Sequence, residues 1–261
     1  MALLVTSAWA SPIERNVIVM TYQGALGGTI HISANGGQSF QYVYAGPYEF
    51  NVYEAVQSGT GITAGALVDR LVAMYCDSAS YNLVMSYPYV QLTGTDVLNG
   101  YGRLYGQAAP ATAQTAYMDM SWALQYALAQ NTQEWYKAAQ IYTWELMSDV
   151  VYGQPFDLAN GTFQVASTDL PTVLNDVNFI NSHATPNVMA DLNVPVTMLQ
   201  NDSGATYSDT LSGATTYFKN SESSQEFFVD PLTPVPEPTT LSLITLGLAG
   251  LGGIAWRYWR N

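Results

Sequence analysis

Apolar and polar side chains alternate through residues 17 to 56. The stretches VIVMTYQ, GGTIHIS and SFQYVYAGPYEFNVYEAV are broken by glycine pairs and by an Asn35-Gly36-Gly37 turn. That is the pattern of hairpin-linked strands with one buried face. Residues 67 to 92 are ambiguous in period at the front, while their Tyr-rich second half, with Pro88, reads as an edge or hairpin strand. The period then changes. Ala116, Met120, Ala123 and Ala127 recur at helical spacing within residues 113 to 128, and Trp135, Ala139, Tyr142 and Leu146 do so within 132 to 151. Two helices are predicted, the second capped by Asn131 or Thr132. After Gly153-Gln154-Pro155 the chain returns to short β-like segments, GTFQVAS, VPVTMLQ, ATTYFKN and QEFFVD, separated by Asn, Asp, Gly and Ser. No internal repeat is evident. The expected fold class is α+β: antiparallel β sheets, sandwich- or barrel-like, flanking a central helical segment within one exported domain over residues 12 to 230.

A different pattern closes the chain. Residues 231 to 238 (PLTPVPEP) are extended by their prolines and form a stiff spacer. From Thr239 to Tyr258 the text reads TTLSLITLGLAGLGGIAWRY, uncharged up to Arg257 and just long enough to span a bilayer. Its small residues (Gly247, Ala249, Gly250, Gly252, Gly253) suit close helix association in lipid, and Trp256, Tyr258 and Trp259 lie where an interfacial aromatic belt belongs. Residues 239 to 261 are therefore expected to form a transmembrane helix with a basic, cytoplasmic tip at Arg257 and Arg260. At the other end, Ala8-Trp9-Ala10 is a small-x-small site after a short apolar stretch, without a basic n-region. Residues 1 to 11 read as the remnant of a signal peptide whose start is truncated or misplaced.

Composition narrows the function. Of 261 residues only 10% are charged, 48% are hydrophobic, and the net charge is −13. Such a surface repels a nucleic-acid backbone, so nucleic acid is excluded as a partner. Cys76 is the only cysteine and His31 and His183 the only histidines, which leaves neither an internal disulfide nor the ligands of a structural zinc site. His31, in a predicted strand, and His183, in a predicted loop, are expected at the surface. Asp169, Asn175, Asp176 and Asp202 lack calcium-loop spacing and read as a solvated acidic face. G-x-S-x-G, H-E-x-x-H, P-loop and EF-hand motifs do not occur. The chain is thus expected to be no enzyme, with no cofactor and no metal. Its 19 Tyr and 6 Trp admit two uses, stacking on sugars and cross-strand packing, of which packing is the commoner.

The closing pattern carries a resemblance. Pro236-Glu237-Pro238, then a Gly-rich apolar span, then Arg257 and Arg260, resembles the PEP-CTERM sorting signal of Gram-negative bacteria, although here Tyr258-Trp259 splits the terminal arginines. The resemblance implies general secretion, an inner-membrane-anchored intermediate, and recognition by an exosortase, a membrane cysteine protease-transpeptidase. It further implies residence at the cell surface or in the extracellular matrix of a biofilm, with extracellular polysaccharide as a candidate partner.

A second resemblance spans roughly residues 24 to 230. Tyr75-Cys76-Asp77 followed by Ala139-Gln140-Ile-Tyr-Thr-Trp144-Glu145 is similar to the Cys and Gln motifs of thioester domains in Gram-positive surface adhesins, with Tyr142 where the helix usually has Ala. It implies a Cys76–Gln140 internal thioester as the candidate site of a covalent adhesin. On a helical wheel Gln140 falls among Tyr136, Trp144 and Met147 on the apolar side, while Glu134, Glu145 and Asp149 cluster about 120° to 180° away. An amide so placed needs a hydrogen-bond partner or a reaction that consumes it. A buried Gln bonded to backbone and an inert core Cys are the ordinary alternatives. Asp77 and Glu145 are expected to be a solvated turn acid and a helix-surface acid.

Overall fold

Tyr48, Phe50 and Val52 are buried at every second position, whereas Ile18, Val19 and Met20 are buried in succession. The first pattern belongs to a strand with one covered face, the second to a strand covered on both. A computed structural model gives the reason. It describes residues 13–14, 17–58, 61–75, 86–92, 104, 107–184, 198–200, 206–211, 214–219 and 227–229.

Among these, seven strands precede the helices: β1 (Ile13–Glu14), β2 (Val17–Ala25), β3 (Gly28–Ser33), β4 (Gln41–Ala45), β5 (Tyr48–Ser58), β6 (Gly61–Tyr75) and β7 (Ser86–Leu92). Helices α1 (Pro110–Gln130) and α2 (Gln133–Ser148) follow, with a short 3-10 turn at Val150–Tyr152. Then come β8 (Gln164–Val165), α3 (Leu170–His183), β9 (Met198–Gln200), β10 (Thr206–Leu211), β11 (Ala214–Lys219) and β12 (Phe227–Val229). A closed antiparallel barrel runs in the order β12-β6-β5-β2-β7-β9. The sheet β4-β3-β8 is also antiparallel, and β10 pairs antiparallel with β11 and parallel with β1. The α+β class with antiparallel sheets is therefore what the chain adopts. The chain divides into two units, Met1–Pro231 and Leu232–Asn261, of which the second lies outside the described residues.

The helices fill the space beside the barrel. Met120, Ala123, Ala127, Ile141 and Tyr142 share one core with Ile30, Ile32 and Val165 of the small sheet and with Val19 and Met74 of the barrel. That shared core explains the run Ile18-Val19-Met20: Val19 faces the helices while its neighbours take the other side.

Element by element, the expected strands of residues 17 to 56 are present, as are the two helices near 113–128 and 132–151. Thr132 is the N-cap of α2, its hydroxyl accepting the Trp135 N–H at 3.4 Å. Asn131 instead closes α1 in the left-handed region, φ 54°, with its N–H on the Ala127 carbonyl at 2.9 Å. One helix contradicts the expectation of β-like segments alone after residue 155. Val173, Val177 and Ile180 of α3 are buried at helical spacing, and Pro171 stands in its first turn, where a missing N–H costs nothing. His183 accordingly sits in the last turn of α3, stacked on Phe179 with ring centroids 3.9 Å apart, and not in a loop. Among the described residues no helix is long and apolar enough to cross a membrane; the predicted span at 239–258 lies outside them.

Candidate functional site

Helix α2 is enclosed on every side: each residue from Ala138 to Met147 is buried. Its start is fixed by Thr132, by Gln133 Nε2 donating to the Gly27 carbonyl at 2.6 Å, and by Tyr136 Oη donating to Asn131 Oδ1 at 2.8 Å. Gln140, in the middle, has no exposed surface, as its place on the apolar side of the wheel predicts. One turn on, the Thr143 hydroxyl donates to the Ala139 carbonyl at 2.9 Å and lies 4.0 Å from Met74 Sδ near the end of β6. Trp144 packs against Phe163, and Tyr142 against Phe156. Cys76 and Asp77, which follow β6, lie outside the described residues.

The opposite face departs from expectation. Glu145 and Asp149 are 0% and 1% exposed, so Glu145 is no surface acid. The wheel was right about the face and wrong about solvent, because residues 153 to 163 fold across it as a strap. The Asp157 N–H donates to Glu145 Oε1 at 2.8 Å, and the Thr162 and Phe163 N–H groups donate to Asp149 Oδ1 and Oδ2, both at 2.9 Å. Carboxylates thus stand in for the hydrogen-bond partners a strand would have given this loop. Burial pushes the Glu145 carboxyl up to about 7; the Asp157 N–H opposes this, and the charges of Asp149 and Asp157 add to it. Glu145 Oε2 has no hydrogen-bond partner among the described residues. The strap carries its own anchors in Leu158 and Phe163, both buried, with Phe156 packed beside them. Three large apolar residues in a stretch otherwise made of small, polar and turn-forming residues were the available signal that this loop needs a surface to cover.

Asp119 of α1 is a second acid that the sequence reading passed over. It is 7% exposed, its Oδ1 lacks a partner among the described residues, and burial pushes it up to about 7. The Tyr142 hydroxyl is raised by burial first and by the Asp119 charge second. On the small sheet, His31 lies in β3 as expected but is only partly exposed, with Asp169 beside it. The His31 N–H donates to Asp169 Oδ2 at 2.8 Å, and Nδ1 is 3.5 Å from the same oxygen. Asp169 therefore ties the start of α3 to β3, which removes it from the expected solvated face.

A family model described as the PEP-CTERM protein-sorting motif matches residues 234–261. The chain carries a PEP-CTERM sorting signal. Pro236, Glu237, Pro238, Arg257 and Arg260 fall within the matched span, outside the described residues. A PEP-CTERM signal marks an exported protein with a membrane-anchored intermediate and names exosortase as its processing partner. No curated protein and no solved structure matches this chain.

Proposed function

We propose that the chain is a non-catalytic protein of the cell surface or extracellular matrix, delivered by exosortase, in which residues 12 to 230 are the exported domain and residues 239 to 261 anchor it before processing. The PEP-CTERM match carries this reading. Membership of a polysaccharide-rich biofilm coat is the role that fits such delivery. The test is fractionation of cells making the full chain or a version ending before Pro234. The full chain is expected in the membrane fraction when exosortase is absent, and the shortened chain in the soluble exported fraction. Identical distribution of the two would overturn the reading.

A second reading, the covalent adhesin, is supported by one observation. Gln140 is fully buried less than one helical turn before Thr143, whose hydroxyl reaches Met74, and Cys76 follows Met74 by two residues. Two residues of chain span at most about 7 Å, and three residues of helix rise about 4.5 Å, so the connection lengths allow the two side chains to meet. In this reaction the Cys76 thiolate attacks the Gln140 side-chain carbonyl, the C–N bond breaks, the amide nitrogen takes up the proton given up by the thiol and leaves as ammonia, and a thioester remains. A Lys amine on a target surface would then take the acyl group and release the thiol. Intact mass decides: the thioester form weighs one ammonia less than the sequence, methylamine restores mass by adding at Gln140, and Cys76→Ala abolishes both changes. A full sequence mass with no methylamine adduct would reject it.

A further inference from the structure

The small sheet β4-β3-β8 and the turn leading from β8 into α3 border a groove of about 440 Å³. His31, Phe40, Gln164, Ser167, Thr168 and Leu170 line it, and no Lys, Arg, Asp or Glu is among its lining residues. Ala159, Val165 and Ala166 complete the wall, so one aromatic ring and four aliphatic side chains are interleaved with an amide, two hydroxyls and an imidazole. Its framework is already locked. Thr168 Oγ1 donates to Asp169 Oδ1 at 3.2 Å, and the His31 backbone N–H donates to Asp169 Oδ2, so Asp169 is engaged in joining α3 to β3. Gln164 Nε2 donates to the Gly161 carbonyl at 3.0 Å, which orients its amide.

Two aromatic rings stay open here while the large apolar residues of the neighbouring core are buried. Phe40 is 44% exposed, and Tyr42, whose ring packs on that of His31, is 71% exposed. An exposed ring beside uncharged hydrogen-bonding groups suits a ligand with one apolar C–H face and a rim of hydroxyls. Charge disfavours anionic amphipathic ligands. Among the described residues that line it the groove offers no cation to an anionic group, and a chain of net charge −13 repels one at a distance. The volume is that of a small-ligand site, suited to one or two sugar rings of a longer chain.

We propose that this groove binds a neutral saccharide, with Phe40 as the stacking platform and Gln164, Ser167 and Thr168 as the groups that address its hydroxyls. This deepens the surface-protein reading and rests on it only for the source of the sugar, since binding by the purified chain does not depend on sorting.

The test is affinity electrophoresis of the full chain, purified in a polyoxyethylene detergent, through native gels cast with dextran, mannan, galactomannan or hydroxyethyl cellulose, and with alginate as the anionic counterpart. Retardation is expected in at least one neutral polymer. Phe40→Ala should weaken the apparent affinity by at least about fivefold, and Ala159→Arg, which fills the groove from an exposed position, should do the same. Leu67→Ala, at an equally open site on β6, should leave it unchanged. All three side chains are exposed, so the variants should melt with the parent; if Phe40→Ala does not, Ala159→Arg decides. Retardation in no neutral polymer, retardation in alginate alone, or equal retardation of parent and groove variants would overturn the proposal. A chain that mislocalises in cells yet still binds in the gel would separate failure of the sorting reading from failure of this one.

Discussion

Asp149 shows how one side chain can hold a loop that has no sheet of its own. Its two oxygens each accept a backbone N–H from the strap, at Thr162 and at Phe163, and Gly161 approaches so closely that a Cβ there would lie 2.8 Å from Oδ2. Phe163 has no exposed surface, so its N–H cannot turn to water if the carboxylate goes. Leaving that donor unpaired costs about 1–3 kcal/mol, with a further loss for the charged character of the bond. Asp149→Ala is therefore expected to lower unfolding stability by about 2–4 kcal/mol in urea titrations, and Asp149→Asn by less, because one oxygen remains to accept. A change within about 0.5 kcal/mol for Asp149→Ala would mean that the strap is held by Phe156, Leu158 and Phe163 alone.

Between elements, the β2–β3 connection does comparable work. The Gly27 carbonyl accepts from Tyr44 Oη at 2.5 Å and from Gln133 Nε2 at 2.6 Å, which joins the turn to β4 and to the first residue of α2. A Cβ on Gly27 would fall 1.8 Å from the Ala45 carbonyl oxygen, a backbone atom that cannot swing aside. Gly27→Ala should cost more than about 2 kcal/mol and lower the melting temperature well beyond Thr132→Ala, whose cap bond is worth about 1 kcal/mol. Equal melting temperatures for the two variants would show that the turn can move without loss. These elements differ in how far the sequence reveals them. Alternation exposes β2 to β5, and helical spacing exposes α1 and α2, because each signal is local. Helix α3 escaped because the Asn and Asp residues of LPTVLNDVNFINSH read as loop, although Val173, Val177 and Ile180, with Leu170 and Leu174 packed beside them, form its core-facing stripe. Barrel closure depends on pairs such as Phe227 with Tyr75, more than a hundred residues apart, which no local period encodes. Gln140 was legible as a buried amide from its own helix; Glu145 was not, since what covers it comes from another part of the chain.

Across the whole molecule, two buried acids with raised carboxyls give stability a definite pH slope. Glu145 moves from an ordinary value of 4.5 to about 7, and Asp119 from 3.8 to about 7. Below their ordinary values both acids are protonated in either state and no difference arises. As pH climbs toward 7, the unfolded chain releases these protons while the folded chain retains them, so the unfolded state binds fewer protons and stability falls. Above about 7 the folded groups ionise too and the fall levels off. Asp157 and Glu134 act with the opposite sign but in another window. The Asn160 side chain holds the Asp157 carboxyl low, and a backbone hydrogen bond does so for Glu134, so their stabilisation is lost only as pH drops through values below the usual carboxylate range. The melting temperature of the parent minus that of an Asp119→Asn, Glu145→Gln double variant cancels every group the two chains share. That difference is expected to become more negative between pH 5 and pH 8, with most of the change below pH 7. Glutamine keeps an oxygen for the Asp157 N–H, as the protonated acid does, so the comparison isolates the charge. A difference that stays flat with pH would mean that both carboxylates ionise as readily inside the fold as outside it, and that water reaches Glu145 beneath the strap.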